Sequence, residues 1–320
     1  MRQYITRRLL EMIPVLIGVS IVIFFIFQLA PGDALSGNID PKMSAERKAE
    51  IRHQLHLDEP VWVQYGYWAK GLLHGDLGES FYYKQPVSEV IHTYVWNSFY
   101  LSLAAFILSI LIAIPIGVVS ATKQYSVFDN AFTIIALIGI SLPSFFFGLL
   151  LIKWFAYDHM IFPVSGMRTA GSSATGFAAF KDVMYHMALP LIVLTFGSLA
   201  SIMRYTRSSM LEVIRQDYIR TARAKGLREK VVIYKHALRN AMIPIVTIFG
   251  MSLPGLFSGA MITEQLFNWP GIGPISLIAV NNRDFMLLMG INMFLAVLTL
   301  LGNLIADVSY ALVDPRIRLK

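Results

Sequence analysis

MRQYITRRLLEMIPVLIGVSIVIFFIFQLAPGD, residues 1–33, couples a basic start to a long apolar run. Two structures begin this way, and length separates them. A secretory signal has an apolar core of about 7–15 residues and ends at a small-x-small cleavage site. A helix that crosses a bilayer needs about 20 apolar residues. Here the run extends to about residue 30, and no small-x-small site precedes Pro31-Gly32-Asp33. The segment therefore reads as a retained first membrane helix.

The same test applied outward along the chain finds further windows at 98–121, 131–156, 187–206, 241–263 and 286–312, which with 9–30 make six. The composition agrees: 56% hydrophobic residues, 15% charged and a mean hydropathy of +0.58 lie outside the range of a soluble domain. The window at 187–206 is the weakest, because Pro190, Gly197 and two serines dilute it. Pro115, Pro143, Gly250 and Pro254 are compatible with membrane helices, whose freed backbone groups are satisfied by neighbouring helices and hydroxyls. The expected fold is an all-α integral membrane protein with six transmembrane helices and a large extracytoplasmic insert between helices 1 and 2. It divides into a first helix (1–30), the insert (31–97), a five-helix core (98–312) that carries a cytoplasmic loop at 208–240, and a cytoplasmic tail (313–320).

Lys and Arg set the orientation. Arg2, Arg7 and Arg8 precede the first window, Lys123 follows the second, and Arg316, Arg318 and Lys320 follow the sixth. The densest group, Arg204, Arg207, Arg215, Arg220, Arg223, Lys225, Arg228, Lys230, Lys235 and Arg239, lies between the fourth and fifth. With six crossings all four segments share one side, the cytoplasmic one, and both termini lie there. The net charge of +7 thus follows from topology, and nucleic acid is not needed as a partner. In the insert, Ser44 is placed to cap a helix through AERKAEIRHQLHL that Pro60 prevents from continuing. The aromatic stretch VWVQYGYWAKGLLHGDLGESFYYK suits a headgroup interface. His53 and His56, without further placed ligands, read as a solvated helix face rather than a metal site.

Enzyme signatures are missing from the sequence. There is no cysteine, no H-E-x-x-H, no G-x-S-x-G, no G-x-G-x-x-G and no phosphate loop, and PGIGPI at 270–275 reads as a turn. Lys153 and Asp307 fall near the ends of crossings, where snorkelling or interfacial pairing accounts for them. Glu264 and Arg283-Asp284 bracket an outer loop, with Asp284 suited to a helix cap. An ion-coupled carrier would place carboxylates near the midplane or carry broken helices in two matching halves. Neither feature is evident.

The basic stretch QDYIRTARAKGLREKVVIYKHALRNAMIP, residues 216–244, contains two carboxylates, Asp217 and Glu229. A helix is expected over Ser208–Lys225 with Gly226 as its stop, and a second over about Arg228–Asn240. A positive loop that binds anionic lipid explains the charge. It does not explain why small Ala222 and Ala224 precede Gly226, a spacing that admits a close partner.

YIRTARAKG followed by HALRNAMIP resembles the cytoplasmic coupling loop, the E-A-A-x-x-x-G motif, in membrane subunits of ATP-binding-cassette importers. Aligned on Gly226, the family Glu falls on Arg220 and the two Ala positions on Thr221 and Ala222; the departures are the form typical of the dipeptide/oligopeptide permeases. YITRRLL, LAPGD, GDLGES, PVSEVI, SLPSFFFG, FNWPGIG and DPRIR extend the resemblance over nearly the whole chain. It implies a type I importer-like fold in a bacterial or archaeal cytoplasmic membrane. A second homologous permease subunit, two cytoplasmic ATPases and an extracytoplasmic peptide-binding protein would be its partners, besides membrane lipid. ATP and Mg would be held by the ATPases, with no catalysis and no cofactor in this chain.

The coupling residues implied are Tyr218, Arg220, Thr221, Ala222, Arg223, Ala224, Lys225 and Gly226. Tyr218, Ala222, Ala224 and Gly226 would pack against the ATPase, and Arg220, Arg223 and Lys225 would make rim contacts. The insert and the 264–284 loop are the candidate surfaces for the binding protein. Uncharged polar residues in the crossings, Ser102, Ser109, Asn130, Ser141, Ser144, Ser198, Ser201, Asn292 and Asn303, suit either a peptide pathway or helix–helix contacts. Relatives in the same branch import nickel, glutathione or oligosaccharides, and an ATP-independent carrier or channel is the alternative from another class.

Overall fold

Apolar windows become helices in the computed structural model, which describes residues 2–29, 44–54, 56–252 and 254–313. Helix α1 is Arg2–Gln28, followed by α2 (Ala45–Gln54) and α3 (Val61–Leu73). A two-stranded antiparallel hairpin, β1 (Glu79–Ser80) and β2 (Gln85–Pro86), leads straight into α4 (Val87–Thr122). Next come α5 (Val127–Ser141), α6 (Ser144–Asp158, wound in wider π turns from Ile152), α7 (Gly176–Ile214) and α8 (Asp217–Ala224). Helix α9 runs continuously over 229–252, with π turns at Val232–Ala237. The chain ends in α10 (Gly255–Ser258), α11 (Met261–Leu266), α12 (Ile272–Asn281) and α13 (Phe285–Val313).

Six straight crossings are not what forms. Among the described residues four helices are long and apolar enough to span a bilayer unaided, in α1, α4, α7 and α13. The third window is bent by 104° between α5 and α6. Pro143 causes this: the ring of a proline drives the residue before it out of the helical region, and Leu142 is extended at φ −79, ψ 126. The fifth window stops at Ser252 and resumes only as the short α10 and α11, with Gly259 at φ +73 between them. By contrast the weakest window lies within the longest helix, the 39 residues of α7, with Pro190 inside it.

Two other expectations change. The helix expected over 208–225 breaks at Arg215–Gln216, where Gln216 is extended. The helix expected to end near Asn240 runs on to Ser252 as α9, with Val232, Ile233, Ala237 and Ala241 as one buried stripe along it. Likewise α4 starts at Val87, inside the stretch assigned to the insert: Val87, Val90, Ile91 and Val95 recur at helical spacing and pack against Ile272, Ile275 and Ala279 of α12 and Leu287, Leu288 and Ile291 of α13.

The most extensive helix pair is α4 with α7. Gly117 permits it, since a Cβ there would lie 2.7 Å from Thr206 Cβ and 2.9 Å from the Met203 carbonyl oxygen. Small residues are what let membrane helices approach closely. Helix α5 is fastened to the same pair by charge. Arg207 Nε and Nη2 donate to the two Asp129 oxygens at 2.7 and 2.8 Å, and Asp129 is 1% exposed. Tyr125 N–H adds a third donor at 2.9 Å, while Ser126 Oγ caps α5 by accepting from Asp129 N–H. The expected end-of-helix charges are also paired, Lys153 with Asp158 at 2.7 Å and Arg8 of α1 with Asp307 of α13 at 3.1 Å.

Removing one partner of a buried ion pair is far more damaging than replacing both. Asp129→Ala is expected to cost about 2 kcal/mol, below the range for fully buried pairs because Arg207 keeps partial solvent access. Asp129→Ala with Arg207→Met should cost less than the two single changes summed. Thermal unfolding of the solubilised protein measures both.

Candidate functional site

Helix α8 projects between α7 and α9, held by two side chains one turn apart. Ile219 is fully buried and Ala222 is 6% exposed. They enter a cluster made by Val118 and Ala121 of α4, Met210 of α7, and Val232, Ile233, Ala237 and Ala241 of α9. Ala222, expected to pack against a partner, turns its small side chain into this cluster of the chain itself. Ile219, which sequence did not single out, is the actual anchor; its signal was the i, i+3 spacing to Ala222.

The opposite face is open. Tyr218 is 45% exposed, and Arg220, Thr221, Arg223, Ala224, Lys225 and Gly226 are also exposed. The carboxylates of the basic stretch are both engaged locally. Arg220 Nη1 lies 3.3 Å from Asp217 Oδ1, and Thr221 Oγ1 donates to the Asp217 carbonyl at 2.9 Å. Arg223 spans the turn to grip Glu229 with both arms, Nη2 to Oε1 at 2.8 Å and Nε to Oε2 at 3.2 Å. Arg223 is thus less free for rim contacts than expected, whereas Lys225 has no carboxylate partner among the described residues. Gly226 takes φ +73, and a Cβ there would meet nothing within 4 Å. Its glycine is needed for the backbone conformation, and no neighbour within this chain crowds it.

Glu229 lies outside the apolar part of α9. Its hydrogen bonds from the Arg223 guanidinium hold its carboxyl below the ordinary glutamate value. A depressed carboxyl pKa contributes stability at pH values above the unfolded pKa and loses it as pH falls through the folded one. The turn therefore tightens at neutral pH and loosens in acid, by a small amount because the pair is exposed.

Toward the insert end, one buried carboxylate organises the FNWPGIG segment. Glu264 is fully buried, not at the surface as sequence suggested. Its Oε2 accepts from Gly273 N–H at 2.9 Å and its Oε1 from Ala260 N–H at 3.2 Å. Ser98 of α4 accepts from Ile272 N–H at 2.8 Å, Trp269 Nε1 donates to the Asn97 carbonyl at 3.0 Å, and Asn97 Nδ2 donates to the Pro270 carbonyl at 2.8 Å. The expected turn at 270–275 is instead the start of α12, with Gly271 just before its first residue. Asp284 caps α13 through Leu287 N–H at 3.1 Å, as expected, and it also receives Ser80 Oγ and Tyr82 N–H from the hairpin. His53 pairs with Asp58 at 2.8 Å and His56 stacks on Tyr67.

Between these ends lies a cavity of about 410 Å³ bordered by α4, α7 and the broken segment after α9. Ser102, Ser198 and Ser201 line it. Ser109 does not, being buried with its hydroxyl on the Phe106 carbonyl at 2.8 Å.

Residues 113–319 match the family described as "Binding-protein-dependent transport system inner membrane component", and residues 1–102 match its N-terminal counterpart. The chain is 43% identical over 318 residues to the oligopeptide transport system permease protein AppB of Bacillus subtilis (strain 168), covering 99% of both chains. It is 40% identical over 338 residues to the dipeptide transport system permease protein DppB of Escherichia coli (strain K12), covering all of both. Among solved structures it resembles a chain of the MetNI methionine ABC transporter in an inward-facing conformation, with a TM-score of 0.53 and 19% identity over 71% of this chain and 97% of that one. At that identity the likeness concerns the fold.

Ile219→Asp places a charge inside the α8 cluster and is expected to destabilise the protein by about 3 kcal/mol, with faster tryptic cleavage between Arg215 and Arg228. Arg220→Ala should change stability by less than about 0.5 kcal/mol. Unfolding midpoints and digestion rates measure the contrast.

Proposed function

The chain belongs to the family of binding-protein-dependent transport system inner membrane components, and on that premise we propose that it is a permease subunit of an ATP-driven importer of short peptides. The observation that carries the coupling role is α8, with one face locked into the bundle by Ile219 and Ala222 and the other presenting Tyr218, Thr221 and Lys225. A helix so anchored moves as one body with α4, α7 and α9, so a push on its exposed face displaces the bundle instead of bending a loop. Rigid-body switching of this kind needs ligands that favour one state over the other. Cytoplasmic ATPases that bind and hydrolyse ATP with Mg supply that bias; this chain supplies the docking helix.

In the full assembly a second homologous permease subunit completes the pathway, two ATPases receive the α8 regions, and an extracytoplasmic binding protein delivers cargo to the insert and the 264–284 loop. The bent α5–α6 pair and the interrupted α9–α11 segment each count as one crossing, which gives six with both termini in the cytoplasm of a bacterium or archaeon. Peptide cargo is supported by the names of the two relatives, covered over nearly their whole length. Those names do not favour nickel, glutathione or oligosaccharide, and an uncoupled channel leaves the anchored α8 unexplained.

The test is purification of the complex from gently solubilised membranes, with ATP hydrolysis measured as peptide-loaded binding protein is added. Tyr218→Ala and Gly226→Asp should each lower stimulated hydrolysis about tenfold, equivalent to about 1.4 kcal/mol of coupling, while this chain is still recovered folded. Unchanged ATPase recovery and unchanged uptake in both variants would overturn docking through α8. Peptide uptake that persists without any ATPase would overturn the importer assignment.

A further inference from the structure

The serine-lined cavity does not end at Ser201. That residue also borders a second cavity, of about 670 Å³, which continues toward the α8 end between Thr133 and Leu137 of α5 and Arg204, Tyr205 and Ser208 of α7. Along α7, Ser198, Ser201, Tyr205 and Ser208 recur every three or four residues, the spacing of one helical face, with Arg204 at its edge. The two cavities therefore share a single polar wall. Arg204 and Arg207 both line the second cavity; Arg204 is exposed and without a carboxylate partner among the described residues, whereas Arg207 is committed to Asp129.

We infer that Arg204 is a specificity-determining contact in the half of the transport groove nearest α8, and that it takes the C-terminal carboxylate of the cargo peptide. The inference rests on the peptide-importer function proposed above. Every linear peptide with a free C-terminus presents that one carboxylate whatever its side chains, so a single cation serves cargo of varied sequence. The serines beside it exchange hydrogen bonds without adding fixed charge. Guanidinium suits a carboxylate because its N–H groups match both oxygens. Because Arg204 is solvated, the attraction is weak, about fivefold in affinity, which allows release.

The chain contains no cysteine, so a single Ser201→Cys reports on the groove. The complete nucleotide-free transporter, in phosphatidylcholine vesicles without binding protein, is labelled with a thiol reagent in the presence of trialanine or trialanine amide. Trialanine is expected to slow labelling of this chain, and the amide to need about fivefold higher concentration for equal protection. Arg204→Gln should abolish that difference and Arg204→Lys should retain it. Equal protection by the two peptides with Arg204 present overturns the inference. So does protection by neither in vesicles that import trialanine, because the groove is then off the route. A difference that vanishes when phosphatidylglycerol is added assigns Arg204 to lipid headgroups, which also overturns it. Vesicles that import no peptide with ATP and binding protein overturn the importer function itself, and this contact with it.

Discussion

The close contact between α4 and α7 is the constraint on which the remainder of the protein depends. Both helices exceed the length of a bilayer crossing, and they touch through small side chains: Gly117 against Thr206, and Ala113 and Ala200 with Met203. In lipid, helices gain little from burying apolar surface against each other, so fit at close range is what holds them. Each end of the pair then carries a working part. At the insert end Asn97 and Ser98 of α4 hold the loop that contains Trp269. At the other end Val118, Ala121 and Met210 receive α8. Motion imposed on α8 has a stiff route to the opposite end of the molecule.

Buried carboxylates fasten elements that apolar packing alone would leave free to slide. Asp129 joins α5 to α7, Asp284 joins the insert hairpin to α13, and Glu264 closes the loop between α11 and α12. Each accepts several hydrogen bonds, which is the condition for burying such a group without a large penalty. The basic stretch uses its carboxylates differently: Asp217 and Glu229 are exposed and shape one small helix and its turn. The wall of α7 shared by the two cavities, by contrast, carries hydroxyls and Arg204, which has no carboxylate partner among the described residues.

Much of this architecture was legible in the residues. Composition and window length identified a membrane protein, and Asp284 was recognisable as a cap from its place before an apolar run. Of the two outcomes open to the end-of-helix charges, pairing is the one found, Lys153 with Asp158 and Asp307 with Arg8. Departures arose where a long-range contact outweighed a local pattern. Residues 87–97 were assigned to the insert and instead begin α4, covered by α12 and α13. Glu264 looked superficial because nothing local announces that Gly273 N–H will reach it.

Ala222 shows the division most clearly. Its smallness and its spacing from Gly226 are properties of the sequence, and they say that something approaches closely. Which neighbour approaches is a matter of how α4, α7 and α9 converge, and they bring Ala121 and Val232 to that face. The amino-acid order by itself determined the apolar segments and the breaks forced by proline, because these follow from the cost of transferring polar groups into lipid and from backbone sterics. Only the tertiary structure decided which face of each helix is buried and that the two cavities share one wall of α7, because those depend on contacts between residues far apart in the chain.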